Sequence, residues 1–115
     1  MLKSKNYKPG DQKMNKTKTY IFYDTGTHGY LRVKKEELKR LKIINDISEY
    51  SFNMLRNNIL LEEDCDLALF VRAKDRVKED FKIKTVNRSP KWVENSGLVG
   101  SRYIQNSRKK GIINV

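Results

Sequence analysis

The chain has 115 residues, 37% of them hydrophobic and 34% charged, with a formal net charge of +11. That length suits one domain with a small core. A single cysteine excludes an internal disulfide, and there is no apolar run of membrane-spanning length and no apolar stretch behind the first lysines, which argues against a secretory signal. A cytoplasmic protein, inside the cell that makes it, is the expectation. The charge sits at the two ends. Residues 1–18 hold six lysines against Asp11 (+5), residues 82–115 hold eight basic residues against Glu94 (+7), and residues 19–81 hold 11 basic and 12 acidic ones (−1). Such a distribution suits a protein that meets polyanions, because cations placed on phosphates release condensed counterions.

Residues 1–18 have no period and little to bury, so they read as a flexible basic arm. The predicted domain spans 19–88. Thr19–Tyr23 is β-rich, and Tyr30–Lys34 alternates, with Leu31 and Val33 on one side and Tyr30, Arg32 and Lys34 on the other. A loop over 24–29 makes the two a hairpin. Residues 36–42 predict a short helix with acidic residues first and basic ones last, docked by Leu38 and Leu41. A third strand is expected over Ile47–Met54, a turn at Arg56–Asn58, and a fourth strand at Ile59–Leu61. A second helix follows from Cys65 to about Lys78, with Asp64 able to cap its start. Phe81–Val86 closes the unit with Lys82 and Lys84 on one face. The expected fold is α+β: a mostly antiparallel sheet in the order ββαββαβ, helices on one face. Residues 89–115, with Trp92 and Tyr103 but no sustained period, read as a basic, partly irregular C-terminal extension.

Several blocks in this stretch, His28-Gly29-Tyr30-Leu31-Arg32-Val33, Ile47-Ser48-Glu49-Tyr50-Ser51-Phe52 and Leu61-Glu62-Glu63-Asp64-Cys65-Asp66, with Leu38, Leu41 and Phe70, resemble a family of small proteins encoded by phages and other mobile elements. The resemblance covers about residues 20–88, and Tyr30 stands where that family commonly has Trp. It implies a biological setting, not a chemistry. By analogy in size, an accessory protein of that setting often antagonises host defence, as CRISPR inhibitors do.

Four motifs bear on chemistry. Asp24-Thr25-Gly26 is the local signature of an aspartic protease, which would need a second carboxylate from a dimer partner; a hairpin turn accounts for the same residues. His28 is the only histidine; it reads as a loop residue bonded to nearby backbone, with Gly29 granting a positive φ, or as a general base beside a carboxylate. Glu62, Glu63, Asp64 and Asp66 place four carboxylates in five residues. They read as helix capping, as a partner-binding acidic patch (Glu62, Glu63, Asp64), or as a divalent-metal site. Cys65 within that patch has its thiolate disfavoured. The fourth motif is distributed: Tyr30, Arg32, Lys34, Lys82 and Lys84, extended by Arg88, Trp92, Arg102, Arg108, Lys109 and Lys110, form a candidate nucleic-acid-binding face on which bases stack and phosphates pair.

The expected function is therefore a non-enzymatic accessory protein of a mobile element, free of cofactors and metal. It would bind nucleic acid or a host nucleic-acid-handling complex, as an anti-CRISPR-type inhibitor acting by occlusion. The alternatives are a plain DNA- or RNA-binding factor in replication, packaging or regulation, and a small metal-dependent nuclease or hydrolase using His28 with Glu62, Glu63 or Asp64.

Overall fold

Among the described residues six strands form one sheet in the order β5-β1-β2-β4-β3-β6. The computed structural model describes residues 17–103; the basic arm, apart from its last two positions, and Arg108, Lys109 and Lys110 lie outside the described residues. In chain order the elements are β1 (Lys18–Asp24), β2 (Gly29–Lys34), α1 (Lys35–Arg40), a 3-10 turn (Ile44–Asp46), β3 (Phe52–Met54), β4 (Asn58–Glu62), α2 (Leu67–Arg76), β5 (Phe81–Asn87), α3 (Trp92–Asn95) and β6 (Val99–Arg102). The α+β class expected from the sequence is what forms. Four of the five strand pairs are antiparallel. The exception, β1 with β5, is parallel. It follows from α2, which carries the chain across the sheet from β4 to the far edge, the connection that parallel strands require.

Alternation sorts the side chains of β1, β2 and β4 into two layers. Leu31, Val33, Ile59 and Leu61 point to the side where Leu38 and Leu41 of the α1 turn and Phe70 and Ala73 of α2 close the main core. Both helices end in the same way. Lys42 and Lys78 take positive φ (63 and 59), while the amides of Ile43 and Glu79 return to the carbonyls of Leu38 and Lys74. That is a Schellman ending with lysine where glycine is usual. On the opposite side Tyr23, Tyr30, Met54 and Leu60 form a second, smaller core, against which Trp92 and Val93 of α3 and Val99 of β6 pack.

Three expectations need correction. The predicted strand 47–54 pairs only over Phe52–Met54. Upstream, Asp66 accepts hydrogen bonds from the Ser48 amide (3.0 Å), the Ser48 hydroxyl (2.8 Å) and the Ser51 hydroxyl, so this backbone turns around a buried carboxylate instead of joining a ladder. Tyr50 is consequently exposed and does not share a face with Phe52 and Met54 as a strand would require. The folded unit also does not stop at residue 88. Tyr103 donates its amide to Ser51 (2.8 Å), β6 pairs with β3, and α3 covers the sheet face opposite α1 and α2, so helices occupy both faces.

Candidate nucleic-acid interface

The sheet face opposite α1 and α2 has a covered half and an open half. In the covered half Tyr23 and Tyr30 are 5% and 6% exposed. Trp92 stacks on Tyr23 with centroids 4.4 Å apart, Tyr30 meets Phe52 edge-on at 5.8 Å, and Arg102 lies 4.9 Å over the Phe52 ring. Arg88 sits over both Tyr23 and Trp92. Burial, followed by the charge of Glu62, raises the Tyr30 hydroxyl above its ordinary range. Tyr30 is thus a core residue, with only its rim bordering, beside His28, Phe52 and Arg102, a depression of about 410 Å³ beneath α3 and β6. Arg88, Trp92 and Arg102 hold down α3 and β6.

The open half begins where the β1–β2 ladder ends. Those strands pair at Asp24–Gly29, Tyr23–Tyr30 and Phe22–Leu31 and are not paired further along. From there β1 follows β5 along all of its length, while β2 follows β4 as far as Lys34–Asn58. The gap between them is a depression of about 290 Å³. Lys18, Thr19, Tyr20 and Ile21 line one wall, with Lys18 paired to Glu37 (3.1 Å); Arg32, Lys34, Arg56 and Asn58 line the other. Lys82 and Lys84 are the β5 neighbours of Thr19 and Ile21 and lie about 7 Å apart along their strand. Arg32 donates to the Tyr23 hydroxyl (3.1 Å) and Lys34 to the Arg56 carbonyl (3.0 Å), which fixes two of these cations without neutralising them. Among the described residues none of Arg32, Lys34, Arg56, Lys82 and Lys84 has an acidic side chain as ion-pair partner.

The sequence pattern placed Arg32, Lys34, Lys82 and Lys84 on one face and the structure brings them together. Arg56 was missed. It belongs to the site because the β3–β4 turn, with Arg56 and Asn57 both at positive φ, closes against the end of β2, where the Lys35 amide bonds the Asn57 carbonyl (2.9 Å). That neighbour relation has no local sequence signal.

The catalytic alternatives fall on residues with structural tasks. The Asp24 carboxylate accepts the Gly26 amide (2.8 Å), and Thr25 and His28 exchange hydrogen bonds across the turn, a hairpin loop as the turn reading holds. Gly29 is not at positive φ. A Cβ there would lie 2.1 Å from Cζ of Phe22, so glycine serves close approach. His28 Nδ1 stands 3.7 Å from Glu62 Oε2. The acidic run diverges. Glu62 is buried and accepts the Asp64 amide (2.9 Å), Asp66 is buried on Ser48 and Ser51, and Glu63 and Asp64 are exposed. Glu62 therefore belongs to the fold and only Glu63 and Asp64 remain as a surface pair. Helix capping is also corrected: α2 starts at Leu67 without a side-chain cap, because its boundary carboxylate turns to the Ser48 loop. No group of three or more metal-ligating side chains occurs among the described residues. Desolvation and the carboxylates of Glu62, Asp66 and Asp64 push the exposed Cys65 thiol up, which disfavours its thiolate.

No helix among the described residues is long and apolar enough to cross a membrane. No family model, curated protein sequence or solved structure matches the chain.

Proposed function

We propose that the protein is a non-enzymatic nucleic-acid-binding protein that holds phosphate backbones on the open half of its sheet. The observation that carries this reading is the set of five cations flanking one depression, without ion-pair partners among the described residues. Like charges gathered on one surface repel one another in the free protein, and a polyanion relieves that repulsion. The basic stretches at 1–18 and 82–115 add long-range attraction of the same sign.

The resemblance to small phage proteins supplies the setting: an accessory factor of a phage or other mobile element. Two roles share the proposed chemistry. A plain DNA- or RNA-binding factor needs only the cationic face. An anti-CRISPR-type inhibitor would occlude a host nucleoprotein complex, with Glu63 and Asp64 as its protein-contacting pair. Affinity capture from host lysate, with and without nuclease, tests both. Nucleic acid should co-purify with the wild type and fall sharply with Lys34→Glu/Lys82→Glu/Lys84→Glu. Host proteins released by nuclease mark the plain factor, and host proteins retained after it mark the occluding inhibitor. Equal recovery of nucleic acid by wild type and triple variant contradicts the proposed site.

A further inference from the structure

The placement of the aromatic rings narrows the ligand class. We infer that this face recognises double-stranded nucleic acid through its phosphates alone, without stacking on bases; the inference rests on the proposed nucleic-acid-binding function.

Sheet surfaces that read single strands present exposed aromatic rings beside their cations, and each stacked base contributes to affinity. Here the two are segregated. Every aromatic side chain of β1–β4 on this face lies in the covered half. Tyr23 lies under Trp92, Tyr30 lies against Phe52, and Phe52 lies under Arg102. One face of Trp92 is spent on Tyr23, and Arg88 is drawn over that pair. The open half is built from Thr19, Ile21, Asn58 and the five cations; among the described residues the one ring that borders the depression, Tyr20, is 3% exposed and packs edge-on against Phe70 and Phe81 in the main core. Exposed Tyr50 precedes β3, at the strand end away from Arg56.

Cations without a stacking platform respond to phosphate density, which is higher in a duplex than in a single strand. The salt exponent is about −0.9 per neutralised phosphate for duplex DNA and about −0.7 for single strands. Taking the two affinities as equal at about 1 M salt, five contacts favour the duplex on the order of tenfold at about 0.1 M. Bases in a duplex are turned inward, so a face of this kind is indifferent to their order.

Trp92, the only tryptophan, lets one titration report both affinity and stacking. The full-length protein is titrated with a fluorescent duplex, with a scrambled duplex of the same length, and with a single strand of that length, while Trp92 emission is followed. The expected result is equal affinity for the two duplexes, weaker affinity for the single strand by about the factor above, and Trp92 emission unchanged by the single strand. Tighter binding of the single strand, quenching of Trp92 by it, or a strong preference between the duplexes overturns the inference while leaving nucleic-acid binding intact. Failure of all three to bind would instead remove the proposed function itself.

Discussion

Lys74 and Lys34 carry the same ammonium group on opposite sides of one sheet, and their surroundings differ in every respect. Lys74 is 3% exposed. It donates to Glu37 (2.9 Å) and Glu79 (2.8 Å) and lies over the rings of Tyr20 and Phe70. Around it Lys18 and Arg40 also reach Glu37, Arg40 reaches Glu79 with two nitrogens, and the Tyr20 hydroxyl donates to Glu37 at 2.7 Å. Lys34, with Arg32, Arg56, Lys82 and Lys84, has no carboxylate partner among the described residues. Charges paired within the fold serve its stability, and charges left facing solvent on one surface are available to a ligand. The contrast separates structural cations from binding ones better than the total of +11 does.

That contrast can be broken by substitution. The largest stability loss is expected from Glu37→Ala. It strips the buried ammonium of one acceptor and should cost about 3–5 kcal/mol in urea unfolding. Asp66→Ala comes next. It leaves the Ser48 amide and two serine hydroxyls without their acceptor, and about 2–3 kcal/mol should be lost. Gly29→Ala, which forces Phe22 aside, should cost about 1–3 kcal/mol. Lys78→Gly should gain up to about 1 kcal/mol by relieving the left-handed backbone at the end of α2. Substitutions in the open half should sit at the bottom of this stability scale: Lys34→Ala and Lys82→Ala are expected within about 0.5 kcal/mol of wild type.

Acid sharpens the same comparison. In the folded protein burial works against the Glu37 carboxylate, but hydrogen bonds from Tyr20, Lys74 and Lys18 hold it at about 2; Arg40 and Lys74 do the same for Glu79. Both lie below the ordinary 4.5, so their contribution is complete above about pH 4.5 and is lost as pH falls toward 2. Lys74 runs the other way. Its folded value is raised above 10.5 against the effect of burial, by Glu79, Tyr20 and Glu37. Its contribution is complete below about 10.5 and disappears as pH rises through the folded value. Thermal unfolding should therefore show Tm falling steeply between about pH 4.5 and 2 in wild type, and less steeply in Glu37→Ala.

The ββαββαβ part of the fold, through the strand at Phe81–Asn87, was legible because its signals are local. Leu31 and Val33 alternate with Arg32 and Lys34, and acidic residues open α1 while basic ones close it. The end of the chain was not legible for the complementary reason. Val99–Arg102 contains Gly100 and Ser101 and has no alternation to read; it becomes a strand because β3 presents an edge to it. The same dependence on distant neighbours hid the division of the candidate face. Parity alone put Tyr30, Arg32 and Lys34 together, and only α3 and β6 reveal that Tyr30 is covered and the lysine end is open. The blocks 28–33, 47–52 and 61–66 prove to be joints of the fold: Asp66 ties the 61–66 block to the 47–52 block through Ser48 and Ser51, and Gly29 lets Phe22 pack close.

The central claim, that the unpaired cations of the open half meet phosphates, is tested most directly by the salt dependence of duplex DNA affinity for the wild type and for Lys34→Ala/Lys82→Ala/Lys84→Ala. Each lysine that contacts a phosphate contributes about 0.9 to the slope of log K against log salt, so the triple variant should lose about 2.7 in slope while Tm stays near that of wild type. An unchanged slope in a fully folded triple variant would contradict the account and leave the open half of the sheet without its proposed ligand.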